Sequence, residues 1–241
     1  ILADDSLNDE TKTKLILFLN GWTNKHINDV LGDLINLTKH QIKNQYLRGL
    51  LFQLYEKNGV IKRNEVDEIV KLIPLDERKR LWGMGIKIGR YHIYLPKMLK
   101  PKAMLFRITL WKLFNELTQE HKIPKSGLNF LKNKNFDKKF LLLCGFENFR
   151  DYFVRIDILE KLFVKILNNT KDKKFKINSE MMNLLGCSKE DFAKLMVFMN
   201  YKKDKEIDTY RYKGEAKKKN KVFKLKNQSN PFKKLLSLNI K

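Results

Sequence analysis

The stretch from Gly83 to Trp111 constrains the fold more than any other part of the chain, because three glycines, two prolines and many aromatic and basic residues coincide there. Apolar residues alternate on both sides of Gly89-Arg90, a pattern typical of a β-hairpin with a tight turn. Pro101 suits the first turn of a helix. The sequence therefore predicts a small hairpin near 85–95, acting as a structural joint, and then a helix. One face of that helix carries Met104, Leu105, Ile108 and Trp111.

These glycines do not match a nucleotide-binding loop. Gly83, Gly85 and Gly89 lack the G-x-G-x-x-G spacing, and no Lys-Ser/Thr pair follows to hold phosphate and magnesium. Asp67-Glu68 begins like a DExx box, but it lies in an amphipathic helical pattern and does not end a hydrophobic strand. No nucleophile-elbow spacing occurs either. We expect no catalytic, cofactor-binding or metal-binding residues in this chain.

The residues before the hairpin are predicted to be helical. Periodic apolar residues indicate helices over 8–37, 38–57, 63–72 and 74–82, with possible breaks at Gly21 and Gly32 in the first. His26, Asp29 and Asp33 share helical spacing, which we interpret as a polar helix edge and not as a metal or acid–base cluster. The fold class is therefore mainly α, with a helical accessory domain over 1–144 that includes the hairpin.

A second domain is predicted over 145–213. The pattern indicates a helix, a short extended segment, two helices joined by a turn at Gly186, and two short basic strands, which together resemble a helix-turn-helix with a wing. Ser188 suits the N-cap of the second of these two helices. That helix offers only Lys189 and Lys194 as basic residues, which disfavours base reading in the major groove. The wing alternates aromatic residues and cations and is the better candidate for nucleic-acid contact.

Positive charge is concentrated in the second two-thirds of the chain. The formal net charge is +23, of which residues 1–80 contribute +1 and residues 81–241 contribute +22. Such an asymmetric excess attracts phosphate, although part of the lysine content is consistent with codon bias. Aromatic residues among the lysines of 122–139 suggest base stacking, and a solvated loop with core anchors explains them equally well.

The stretch 214–241 carries nine Lys and one Glu, which predicts a basic, disordered tail. It completes the set of candidate nucleic-acid-binding residues. These are Lys97, Lys100, Lys102, Arg107, Lys132, Lys134, Lys202, Lys203, Arg211, Lys213, Lys217, Lys218 and Lys219.

Other features suggest a soluble cytoplasmic chain. The longest apolar runs are far short of the roughly 20 residues that a membrane span needs, and no signal-peptide pattern is present. Cys144 and Cys187 lack C-x-x-C spacing and nearby histidines, so neither a zinc site nor a disulfide framework is indicated.

Four blocks resemble one family in that family's order. They are LRGLLFQLYEKNGVI, GIKIGRYHIYLPKMLKPKA, VRIDILEKL continuing to MMNLLGCSKEDFAKLMVFMNYKK, and NPFKKLL. In these blocks the chain is similar to the C-terminal accessory region of alpha-proteobacterial ATP-dependent superfamily 2 helicases related to the mitochondrial suppressor-of-var RNA helicases.

The resemblance implies a non-catalytic part of an RNA or DNA helicase that binds single-stranded nucleic acid beside the motor. ATP and Mg²⁺ would belong to two upstream RecA-like motor domains, which are missing here and would be partners of this region. A nuclease is a further possible partner. Two alternatives stay open, a free-standing nucleic-acid-binding protein and a protein–protein interaction module.

Overall fold

The computed structural model describes residues 8–116, 121–133, 137–204 and 208–214. The described chain is mainly helical with small antiparallel sheets, which confirms the predicted mainly α class. The predicted basic tail over 214–241 lies, apart from Gly214, outside the described residues.

The chain begins with one long helix, α1 (Asp9–Ile35), that neither Gly21 nor Gly32 interrupts. Asn8 caps it, since its side-chain oxygen accepts a hydrogen bond from the backbone N–H of Thr11. Only Leu31 and Leu34, near the C-terminal end, are buried. A short 3₁₀ helix, Asn36–Thr38, follows.

The next elements form a first unit around one three-stranded sheet. They are α2 (Gln45–Glu56), β1 (Val60–Lys62), α3 (Arg63–Leu72), α4 (Leu75–Gly83), β2 (Lys87–Ile88) and β3 (His92–Tyr94). The strand order is β1-β3-β2. The predicted hairpin is confirmed, because β2 and β3 pair with Ile88 opposite Ile93.

The second unit repeats this arrangement with one helix between the first and second strands. Its elements are α5 (Pro101–Phe114), β4 (Phe130–Lys132), α6 (Lys138–Leu143), β5 (Phe146–Phe149) and β6 (Tyr152–Arg155), in the strand order β4-β6-β5. A 3₁₀ helix, Pro96–Leu99, connects it to the first unit. Because β4 precedes residue 145 and β5 and β6 follow it, the predicted division at 144/145 runs through this sheet.

The third unit has the full order again. It contains α7 (Ile156–Asn168), β7 (Lys174–Lys176), α8 (Ser179–Leu185), α9 (Lys189–Phe198), β8 (Tyr201–Lys203) and β9 (Thr209–Tyr212), in the strand order β7-β9-β8. The turn between α8 and α9 forms as predicted, with Gly186 in the left-handed region and Ser188 accepting a hydrogen bond from the N–H of Asp191. Three successive sheets thus share one order, in which the last strand lies between the other two.

Candidate nucleic-acid interface

The sheet of the third unit separates cations from aromatic residues. Residues directly opposite each other in an antiparallel pair project to the same face. Arg211 lies opposite Lys174 on one side and Lys202 on the other, so these three cations form a row across one face. Lys202 and Arg211 are exposed.

The aromatic residues of the same strands project to the other face, towards the core. Tyr210 pairs with Phe175, and Tyr201 pairs with Tyr212. Tyr201 and Tyr210 are 4% and 2% exposed, whereas Tyr212 retains 38% exposure. The pleat of the strands therefore places the cation row on one face and these aromatic residues on the other. The exception is Lys203, which lies opposite Tyr210 and projects to the aromatic side.

One carboxylate accompanies the cation row. Asp204 lies 2.8 Å from the Lys174 Nζ and 3.5 Å from the nearer Arg211 guanidinium nitrogen. Among the described residues, Asp204 lies against two of the three cations of the row, and Lys202 and Arg211 are exposed to solvent. Lys203 and Lys213, the other two predicted cations of the wing, are also exposed.

Other predicted cations lie on different elements. Lys97 pairs with Asp33 of α1 at 2.8 Å, and Lys132 pairs with Asp191 of α9 at 2.9 Å. Both lysine side chains remain more than half exposed. Lys100 and Lys102 are exposed at the start of α5.

Arg107 is a correction to the predicted set, because it is 3% exposed and its guanidinium faces the interior. It donates hydrogen bonds to the carbonyl oxygens of Asn58 and Met98, both at 2.6 Å, and of Leu143 at 3.2 Å. Burial lowers the pKa of Arg107 to about 10. This arginine ties α5 and the end of α6 to the first unit, and its guanidinium points away from the surface.

The described aromatic residues in and directly after 122–139 also contribute to the interior. Phe140 is 2% exposed within the core of the second unit, and Phe130 stacks on Tyr152 with ring centroids 5.2 Å apart. These two rings therefore fit the alternative interpretation of this stretch, a solvated loop with aromatic anchors in the core, better than base stacking. Phe136 and Lys134 lie outside the described residues, as do Lys217, Lys218 and Lys219.

A buried polar junction connects the three units, and sequence analysis did not find it. His92 of β3 is 1% exposed, and its Nε2 lies 2.7 Å from the Glu147 Oε2 on β5. The other Glu147 oxygen accepts a hydrogen bond from the Lys62 Nζ at 2.6 Å. From α7 of the third unit, Glu160 places a carboxylate oxygen 3.9 Å from the His92 Nδ1.

Glu160 also binds three consecutive amides at the hairpin turn. The backbone N–H groups of Arg90, Tyr91 and His92 donate to its carboxylate at 2.6, 2.8 and 2.9 Å. Gly89 makes this approach possible, because a Cβ at that position would lie 2.2 Å from the carboxyl carbon of Glu160. The glycine of the turn was the only sign of this contact in the sequence, and the carboxylate that approaches it is about 70 residues further along the chain.

The charges of the junction support one another. Burial opposes the charged form of His92, but the hydrogen bond to Glu147 and the nearby negative charge of Glu160 outweigh it and raise the pKa of His92. Burial likewise opposes ionisation of Glu147, and His92 and Lys62 together outweigh it and lower the pKa of Glu147. The junction is therefore a set of mutually stabilised ion pairs inside the molecule.

Within the described ranges, no group of three or more His, Cys, Asp or Glu residues is arranged to hold a metal ion. Likewise, none of the helices in the described part is both long and apolar enough to cross a membrane. Comparisons with protein-family models, with curated proteins and with solved structures find no match for this chain.

Proposed function

We propose that this chain is a non-catalytic part of an ATP-dependent RNA or DNA helicase and binds single-stranded nucleic acid beside the motor. The contact surface is the outer face of the third-unit sheet, with Lys174, Lys202 and Arg211 in one row and Lys213 nearby. Lys203 is exposed on the other side of the same sheet. ATP hydrolysis with Mg²⁺ would take place in the RecA-like motor domains, which would be partners of this region.

The cation row is the observation that carries this proposal. Three cations at cross-strand spacing on a solvent-facing sheet surface match the repeated phosphates of an extended strand better than a point ligand. Asp204 is the carboxylate that accompanies the row, and it lies against Lys174 and Arg211. Lys202, at the edge strand, extends the row beyond that carboxylate.

We interpret the third unit as a winged helix, with β8 and β9 as the wing. Its order of helix, strand, two helices and two strands, together with the strand order β7-β9-β8, supports this interpretation. Helix α9 is in the position of a recognition helix, but Lys189 is paired with Asp208. Lys194 is the other basic residue of α9. These two lysines are too few to read base edges, so we assign α9 to contact with the phosphate backbone.

The exposed apolar side chains on the first half of α1 suggest that a protein partner binds there. Leu17, Phe18 and Trp22 are 67%, 69% and 56% exposed, and Leu15, Ile16 and Leu19 are each about 40% exposed or more. Large apolar side chains that are exposed so close together mark an interaction site. We assign it to the motor domains. It also favours the second candidate function, an interaction module whose lysines remain solvated.

Binding of a fluorescent single-stranded 20-mer, as RNA and as DNA, tests the proposal by anisotropy over a range of salt concentrations. The double variant Lys202→Glu/Arg211→Glu should bind at least about tenfold more weakly at low salt, with a shallower salt dependence, because each phosphate contact contributes about one to the slope.

Lys39→Glu/Lys43→Glu is the matched control. Both lysines are exposed and lie just before α2, and the change in net charge is identical. Equal losses in the two double variants would mean general attraction to a basic protein and would remove the cation row from the site. No binding by the unmodified chain would reject nucleic-acid binding and favour the interaction module.

A further inference from the structure

A cavity of about 410 Å³ lies between the hairpin turn of the first unit and the core side of the third. Its volume falls within the range of small-molecule sites. Arg90 and Lys173, both exposed, contribute two cations to its lining. Five aromatic residues contribute most of the remaining wall: Tyr91, Phe163, Phe175, Tyr201 and Tyr212.

The aromatic wall is held in place by contacts among its own rings. Tyr91 meets Phe163 edge-on with centroids 5.8 Å apart, and Tyr201 meets Phe175 edge-on at 5.3 Å. Tyr212, at 38% exposure, is the member that a ligand from solvent reaches first.

The cavity is adjacent to the cation row. The paired residues Tyr201 and Tyr212 line the cavity, and the next pair, Lys202 and Arg211, belongs to the row on the opposite face. One residue step along a strand is about 3.3 Å. Tyr212 ends the central strand β9 and Tyr201 begins the edge strand β8, so a nucleic-acid strand that leaves the row around this end of the sheet passes Tyr212 and reaches the aromatic wall.

We infer that this cavity binds one unstacked nucleobase of a single strand, an inference that rests on the proposed function and names the base-binding part of the same site. Every base has a flat π-face that stacks on aromatic side chains, with little dependence on sequence. Arg90 and Lys173 supply positive charge for the adjoining phosphates. An acyl chain or an apolar side chain of a protein would use the rings but would not need these two cations.

Two variants test the inference without touching the cation row. Leu167 lines the cavity at 53% exposure, so Leu167→Trp places a large side chain in it at little cost to the core. Tyr212→Ala removes the exposed ring and provides a second route should the first variant misfold. Leu72→Trp, at a position 55% exposed on α3, is the matched control.

The measurement compares an intact single-stranded DNA 10-mer with the same strand made entirely of abasic sites, which keeps the phosphates. The unmodified chain and Leu72→Trp should bind the intact strand about tenfold more tightly than the abasic strand. Leu167→Trp and Tyr212→Ala should lose most of that difference and bind the abasic strand as the unmodified chain does. A 2-aminopurine base in the strand should be quenched on binding, and less so with either variant.

The outcomes separate the two proposals. If the unmodified chain binds both strands equally, or if both cavity variants retain the full difference, the base-binding inference is overturned and the proposed function stands. If the unmodified chain binds neither strand, both fall. An affinity of the cavity for detergent or acyl chains with equal binding of the two strands would assign it to an apolar ligand and likewise overturn the inference.

Discussion

The sheets of the first and third units share a strand order, yet their charged residues lie in opposite environments. The central strand β3 of the first sheet is buried along its whole length, and its His92 is enclosed by Glu147 and Glu160. In the third sheet, Lys202 and Arg211 face solvent. Topology alone therefore does not decide the role of a sheet in this molecule. The neighbours of its charged residues make one sheet a joint and leave the other open to a ligand.

The largest expected effect comes from breaking the joint at Glu160. Glu160→Ala leaves the amides of Arg90, Tyr91 and His92 without their acceptor and His92 without one of its two carboxylates. We expect the free energy of unfolding to fall by about 3 kcal/mol, since unsatisfied buried donors cost roughly 1–3 kcal/mol each and water can reach the exposed end of the turn. Urea denaturation measures this loss.

Glu180→Ala is the control for that experiment. Glu180 pairs with Lys165 at 2.7 Å but is 71% exposed, so we expect no measurable change in the free energy of unfolding. Similar losses for the two variants would contradict a special role of the carboxylate at the hairpin turn.

A smaller effect is expected from Gly89→Ala, which keeps every polar group and only displaces the Glu160 carboxylate. The added methyl group requires a shift of a carboxylate that three amides hold, at a cost of about 2 kcal/mol. Gly83→Ala introduces the same group six residues earlier, where no atom lies within 4 Å, and should be neutral or slightly stabilising. Equal stability of the two variants would show that the turn and the Glu160 carboxylate can shift to accommodate the methyl group at no cost.

The smallest effect is a pH dependence that belongs to the joint and not to the cation row. The raised pKa of His92 means that its contribution to stability is complete below its ordinary value of 6.5 and is lost as pH rises through the folded-state pKa. The lowered pKa of Glu147 means that its contribution is complete above 4.5 and is lost as pH falls through the folded-state value.

Thermal melts between pH 5 and pH 9 measure this dependence. The midpoint should be highest between about 4.5 and 6.5 as far as these two groups determine it, with Lys62 and Glu160 as their charged neighbours. His92→Gln should flatten the decline on the alkaline side relative to the unmodified chain. A decline of unchanged steepness in that variant would assign it to other groups.

The local elements were predictable from the sequence because their signals are local. Apolar alternation around Gly89-Arg90 predicted the hairpin, and the glycine and serine of the α8–α9 turn predicted its form. The repeated strand order was not predicted, because β1 and β7 are three-residue strands whose pairing depends on residues 30 or more positions away.

The candidate site was predicted in part for a similar reason. Composition identified the cations of the wing, but Lys174 joins them only through its pairing with Arg211. Arg107 was misassigned although a signal was present, since its spacing from Met104 and Trp111 puts it in the apolar stripe of α5. Charge was given more weight than position, and the carbonyl oxygens that accept from Arg107 leave no mark in a sequence.

The three amides bound by Glu160 also make hydrogen exchange in the first unit depend on a residue of the third unit. A backbone N–H that donates to a carboxylate exchanges its hydrogen with solvent only when that bond opens. Exchange at residues 90–92 of the first unit therefore requires the carboxylate carried by α7 of the third unit to withdraw. The slowest of these three amide exchange rates therefore measures how often the two units separate at this contact. The hairpin itself need not unfold for the exchange to occur.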